Sequence, residues 1–191
     1  QLGVTESDIK EAKREMKTTG GVALLYQNGF APEKVTHPSW HELPDYRVRY
    51  NRHRAAHLYL NGEKVARTEV LYDVEKAAIA NMSQRYAGYL AKRVAGVVAR
   101  EVLGNELDKQ KAGLGTIMKI AMYAASQADL RAWSTLPKDF QVARVQVKPG
   151  TYEASIRLED TSGNLSDERP LGEVVVKRGG VATLSYRSLN D

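Results

Sequence analysis

Apolar and polar positions along the chain change period several times, and each change marks an element. Val22-Ala23-Leu24-Leu25-Tyr26 is continuously apolar and closes on Asn28-Gly29, the pattern of a short buried strand ended by a turn. Residues 30 to 45 hold Pro32, Pro38 and Pro44 and read as a loop. Tyr46, Val48 and Tyr50 then alternate with Arg47 and Arg49, which predicts a half-buried strand. Ala56, Leu58 and Leu60 alternate with His57 and Tyr59 up to Asn61-Gly62, and Val65 to Tyr72 resumes the extended pattern. Asn-Gly between two such runs predicts a hairpin, because both central residues of a type I′ turn need φ above zero.

From Asp73 the period becomes helical. Ile79, Met82, Tyr86, Leu90, Val94 and Val97 recur every three or four residues opposite Lys76, Gln84, Arg85, Lys92, Arg93 and Arg100. This predicts an amphipathic helix of about eight turns. Gly104 and Asn105 begin its termination, Asp108 to Gly113 is a polar link, and Leu114 to Leu130 forms a second helix, expected to run antiparallel to the first. A shorter helix is expected over Asp8 to Lys17, with Ile9, Ala12 and Met16 on one face.

After Pro137 the period returns to two. Phe140 to Val147 reads as a strand, Lys148-Pro149-Gly150 as a turn with Gly150 at positive φ, and Tyr152, Ala154, Ile156 and Leu158 as the return strand of a hairpin. Asp160 to Asn164 turns again. Val174 and Val176, Gly179-Gly180, then Ala182, Leu184 and Tyr186 suggest a last hairpin. Strands, helical hairpin, strands is the order of an α+β fold: an antiparallel β-sandwich-like sheet with an inserted two-helix hairpin. Residues 1–20 are expected to be an N-terminal helix or linker. Residues 21–191 are expected to form one domain, with strands over 21–72, the helical hairpin over 73–130 and C-terminal β-hairpins over 131–189.

Composition narrows the function classes. Of 191 residues 42% are hydrophobic and 27% charged, which is globular and argues against a disordered chain. The absence of cysteine removes disulfides, thiolate catalysis and Cys-ligated zinc together. The net charge of +5 is spread along the chain with acids interleaved, so nucleic acid is not an expected partner. The densest basic run is Arg47, Arg49, Arg52 and Arg54, which suits either a solvated edge strand or an anionic partner. Leu114 to Ala125 is the longest apolar stretch; Lys119 interrupts it, and it falls short of the ~20 residues a bilayer span requires.

Candidate chemistry is sparse, and no metal or other cofactor is expected. His37, His41, His53 and His57 lie close in sequence, but Pro38 keeps the first two off a common helix face. The last two would stand about 13 Å apart on a strand at ~3.3 Å per residue, too far to share one ion without bending, so all four are expected as exposed, structural histidines. Gly113-Leu114-Gly115-Thr116 lacks the Gly-Lys-Ser/Thr of a phosphate loop. Glu159-Asp160 and Asp167-Glu168 are expected in solvated turns with ordinary acidity. Ser134 and Ser155 have no partner histidine in sequence reach, which disfavours an enzyme. Trp40, in a Pro-rich loop, is hard to bury and is a candidate for partner contact. Trp133, before the Leu136-Pro137 corner, either plugs the junction between helix and sheet or meets a partner, and Arg131 beside it either stacks on the indole or pairs with a carboxylate.

Three segments carry a resemblance: Gly21 with Leu25-Tyr26, Asn28-Gly29, Ala31-Pro32 and Lys34; Leu71 with Asp73-Val74-Glu75 and Ala77; and Ala128-Asp129, Arg131, Trp133, Leu136-Pro137 running into Gln141-Val142-Ala143-Arg144. Over nearly all of residues 20 to 189 the chain resembles an uncharacterised family of Gram-negative envelope proteins, commonly described as lipoproteins. In that family a secretion signal and a tetratricopeptide-like helical region usually precede this domain.

The resemblance implies a periplasmic, outer-membrane-associated setting, with membrane attachment only through a lipid anchor upstream. It also implies partners among envelope proteins, such as a lipoprotein or a peptidoglycan-synthase complex. It supplies no catalytic residues. The leading expectation is a non-enzymatic assembly or scaffold domain that binds another envelope protein. A binding module for an anionic envelope polymer, peptidoglycan or lipopolysaccharide, is the alternative, and a hydrolase assembled from distant residues is third.

Overall fold

The computed structural model describes residues 5–7, 9–10, 18–39, 43–110, 116–117, 119–120 and 128–189. Along them run β1 (Gly20–Asn28), β2 (Glu33–Thr36), β3 (Pro44–Arg47), β4 (His53–Leu60), β5 (Glu63–Arg67), β6 (Glu69–Asp73), α1 (Val74–Gln110), β7 (Asp139–Val147), β8 (Gly150–Asp160), β9 (Arg169–Val176) and β10 (Val181–Arg187). They divide into two compact units. One comprises Gln1–Ala31, Tyr50–Val74 and Thr135–Asp191, the other Pro32–Arg49 and Glu75–Ser134.

The first unit is a β-sandwich. One sheet has the strand order β10-β1-β7-β6 and the other β5-β4-β8-β9. Neighbours run antiparallel except β1 and β10, which are parallel with Leu24 opposite Leu184. Period-two alternation produces the core. Val22, Leu24 and Tyr26 of β1 and Ala143 of β7 pack with Ala56, Leu58 and Leu60 of β4, with Ala154, Ile156 and Leu158 of β8, and with Val174 and Val176 of β9. Burying each large aliphatic side chain contributes about 1.5–3 kcal/mol.

The α+β class, the sandwich and the inserted helical hairpin agree with the sequence, but several connections differ. Lys148-Pro149 does not close a hairpin: β7 pairs with β1 and β6 in one sheet, and β8 with β4 and β9 in the other. Gly150 is not at positive φ but is the first residue of β8. The turn at Gly179-Gly180 likewise passes from β9 in one sheet to β10 in the other. Both faces needing cover are thereby buried by a change of sheet, which local periodicity does not encode. The Asn61-Gly62 hairpin forms as expected, with φ of 52° and 80°.

In the second unit the proline-rich stretch expected as a loop contains a two-stranded ribbon, with Glu33 opposite Arg47 and Thr36 opposite Pro44. The strand expected over Tyr46 to Tyr50 ends at Arg47, and Tyr50 is 75% exposed rather than half buried.

Helix α1 is 37 residues long, about 55 Å at 1.5 Å per residue. It carries Glu75 in its first turn and Lys109 in its last, as the helix dipole favours. It continues through Gly104 and Asn105, where termination was expected. A Cβ on Gly104 would collide with the Lys119 side chain, so this glycine allows close approach within the helical hairpin. Lys119 Nζ donates to Glu101 Oε2 at 2.9 Å and to Asn105 Oδ1 at 3.0 Å, tying the second helical stretch to α1. Thr116, Ile117, Lys119 and Ile120 are helical, whereas Ala128 to Leu130 are not, so the second helix stops before the expected Leu130. Most of the helix expected over Asp8 to Lys17 lies outside the described residues, although Ile9 and Lys10 are helical.

Candidate functional site

The four arginines of the basic run divide between the two units. Arg47 pairs with Glu33 across the β2/β3 ribbon at 2.6 Å, and Arg49 Nη1 lies 3.4 Å from the Ser134 carbonyl. Arg52 is exposed. Arg54 stands on β4, an inner strand rather than an edge, and its Nε donates to Glu159 Oε1 at 2.7 Å. Arg131 does not stack on Trp133 but forms an ion pair with Asp129 at 2.9 Å. That pairing holds the Asp129 carboxyl well below its usual range. Trp133 is 77% exposed and does not plug the junction. Trp40 lies outside the described residues, together with His41 and Glu42.

Glu159 departs most from its expected place. It is not in a solvated turn but near the end of β8, and it is 6% exposed. Inward-facing Leu158 puts Glu159 on the outer sheet face, where β4 and β5 deliver its partners. Its Oε2 accepts from Arg67 Nε at 2.7 Å and lies 2.6 Å from His57 Nε2, while Oε1 accepts from Arg54. Hydrogen bonds from Arg67, then His57, hold this carboxyl far below its ordinary value, against the effect of burial. Its lone pairs are occupied and it keeps no proton to give, so the cluster joins three strands rather than supplying a general acid. Beside it Ser155 donates to Glu168 at 2.5 Å, and Arg157 lies over the Tyr59 ring and pairs with Glu168 at 3.1 Å.

His53 and His57 are buried rather than exposed. The bulge between His53 and Ala55 breaks the period-two relation between them. Inside the sandwich a second polar network connects its members. Asn28 Nδ2 donates to the His53 carbonyl and to Asp139 Oδ2, Gln141 Nε2 to Asp139 Oδ1 and the Arg54 carbonyl, and Thr68 Oγ1 to Gln141 Oε1. Tyr26 Oη and Ser188 Oγ, 2.8 Å apart, close it. Burial raises the Asp139 carboxyl and pushes the Tyr26 phenol up to about 12, in each case by disfavouring the charged form. Among the described residues no group of three or more His, Asp or Glu is placed to hold a metal ion.

The second unit holds a cavity of about 420 Å³ lined by His37, Asp45, Tyr46, Ile79, Met82, Ser83 and Tyr86. His37 and Tyr86 meet with ring centroids 6.2 Å apart. Ser83, His37 and Asp45 are the residue types of a hydrolytic triad, and each makes a hydrogen bond with a backbone group. Ser83 Oγ donates to the Ile79 carbonyl one turn back at 3.0 Å. His37 Nδ1 accepts from the Ser39 amide at 3.1 Å. Asp45 Oδ1 accepts from the Tyr46 amide at 2.7 Å.

Known protein families, curated proteins and solved structures provide no match to this chain.

The helical hairpin presents exposed apolar side chains. Val94, Val98 and Val102 follow one another at four-residue spacing on α1 and are all exposed, as are Leu103, Ile117 and Ile120. Val94 was expected on the buried stripe, of which Met82 is the member that is buried. No described helix is long and apolar enough to cross a membrane. The expected set of partner-contact residues omitted this valine row, because in sequence its members merge with the stripe that runs from Ile79 to Val97.

Proposed function

We propose that this chain is a non-enzymatic assembly domain of the Gram-negative cell envelope, periplasmic and associated with the outer membrane, that binds another envelope protein through its helical hairpin. The observation that carries the reading is the exposed Val94, Val98 and Val102 row, with Val98 56% exposed on a helix that could have placed lysine or glutamate there. A contiguous apolar strip on a water-facing helix costs solubility, and its common use is to be covered by a partner. The saturated Glu159 cluster and the hydrogen bonds of Ser83 and His37 support a binding role over a catalytic one. The envelope setting rests on the resemblance carried by Ala128-Asp129, Arg131, Trp133 and Leu136-Pro137. The polymer-binding alternative loses ground because Arg47 and Arg54 already carry carboxylate partners.

A photo-crosslinking residue at position 98, with the protein expressed in a Gram-negative host, tests this directly. Adducts to a defined envelope protein, abolished by Val102→Lys, are expected. Adducts confined to cytoplasmic proteins, or none, would overturn the proposal. Salt-sensitive sedimentation with isolated cell wall in place of protein adducts would favour the polymer instead.

A further inference from the structure

The lining of the cavity in the second unit combines aromatic, apolar and acidic side chains. Tyr46 and Tyr86 offer aromatic rings, Met82 a polarisable thioether and Ile79 an apolar wall, while Asp45 brings the carboxylate. The described lining contains no lysine or arginine, and its histidine, His37, accepts from the Ser39 amide on Nδ1 and meets the Tyr86 ring. On the ribbon, Arg47 pairs with Glu33. Asp45 spends Oδ1 on the Tyr46 amide, and that bond fixes the carboxylate at the ribbon end of the cavity.

We propose that this cavity binds a small organic cation: an ammonium group carried on an apolar or aromatic body. The positive group is attracted both by the faces of the tyrosine rings, whose quadrupoles are negative there, and by the Asp45 carboxylate. The apolar body lies against Ile79 and Met82, the latter almost wholly buried. At about 420 Å³ the space is within the range of small-molecule sites and exceeds what a lone metal ion needs. Such a site stands or falls separately from partner binding by the valine row, since it uses none of the same side chains.

Methyl NMR of protein labelled at methionine methyl groups, titrated with benzyltrimethylammonium, benzyl alcohol and phenylacetate in turn, tests it. The cation is expected to shift the Met82 methyl resonance saturably. The alcohol should bind at least about tenfold more weakly, since it keeps the ring but lacks the charge, and the anion should give no saturable shift. Asp45→Asn should weaken cation binding about tenfold with the rest of the spectrum unchanged. Equal response to the three probes, or no Met82 shift with the cation, overturns the proposal. If Asp45→Asn fails to fold, the order of the three probes on the unmodified chain decides alone.

Discussion

The imidazole Nε2 of His57 sits 2.6 Å from Oε2 of Glu159, a diagonal contact across the ladder in which His57 faces Arg157 and Ala55 faces Glu159. An ionised carboxylate only accepts, so Nε2 carries the proton and donates. With Arg54 and Arg67 on the same carboxylate, one side chain of β8 is bound to β4 and β5 together.

Replacing Glu159 by glutamine removes the charge and leaves three donors competing for one carbonyl oxygen. Breaking a fully buried pair costs about 3–5 kcal/mol, but both guanidiniums here are roughly half exposed and can turn to water, so a loss of about 2 kcal/mol is expected. Urea denaturation should show it as a lower midpoint with an unchanged slope. The Glu159 carboxyl is held below its unfolded value of ~4.3. Its contribution is thus complete above that pH and declines as pH falls toward the folded value. The E159Q variant should lose this part of the acid sensitivity.

Asp139 should behave in the opposite sense. Burial raises its folded value, so the folded chain holds the proton more tightly than the unfolded one. Its stabilising effect is full below the unfolded value of ~3.9 and is lost as pH rises through the folded value. Asp139→Asn removes that downward slope. The unfolding free energy of the variant should therefore fall less between pH 4 and the neutral range than that of the parent, a difference read from urea curves at a series of pH values.

Thr68 is a hub of the buried network: its hydroxyl accepts from the Ala56 amide at 2.8 Å and donates to Gln141 Oε1 at 2.6 Å. Thr68→Val keeps the shape and strands both partners away from water, at an expected cost of about 2–3 kcal/mol. Thr68→Ser keeps both bonds and should lose under about 1 kcal/mol by comparison. A valine variant as stable as the serine one would show that water reaches the network.

How far these features could be read from sequence depends on whether the partners are near in the chain. Asn61-Gly62 was legible because the turn's φ requirement is local, and so was the alternation of Ala154, Ile156 and Leu158 that fills the core. The change of sheet at Lys148-Pro149 was not, since the same turn residues suit a hairpin or a crossing and only distant strands decide between them. Glu159 was misplaced for a related reason. Its neighbour Asp160 does begin a turn, but its own partners, Arg67 and Arg54, lie 92 and 105 residues away. The cavity was equally hidden, because it joins the ribbon residues His37, Asp45 and Tyr46 to one face of a helix that starts some thirty residues later.

Gly29 and Gly62 separate two costs that glycine avoids. Both have positive φ, but a Cβ on Gly62 meets nothing, whereas one on Gly29 would run into the Asn51 amide. Asn51 accepts from the Phe30 amide at 2.8 Å and donates to its carbonyl at 3.2 Å, so displacing it breaks both bonds. Gly62→Ala should therefore cost about 1–2 kcal/mol, the strain of the left-handed backbone alone. Gly29→Ala should cost at least about 1 kcal/mol more. Thermal unfolding of the two variants side by side checks the difference.

Within α1, Met82 and Val98 should respond in opposite ways to substitution. Met82 is 9% exposed, so Met82→Ala opens space under the helix and is expected to cost about 2–3 kcal/mol. Val98 faces solvent, and Val98→Lys should change stability by less than about 0.5 kcal/mol while replacing a β-branched residue with a better helix former. Because the chain comprises two units that need not unfold together, amide hydrogen exchange along α1 is the measurement to use, rather than a single melting temperature. Faster exchange around position 82 in the alanine variant, with α1 unchanged in the lysine variant, is the expected pair of results. Marked loss of protection in Val98→Lys would mean that the valine row is already covered within the chain, and the surface assigned to a partner would have to be sought elsewhere.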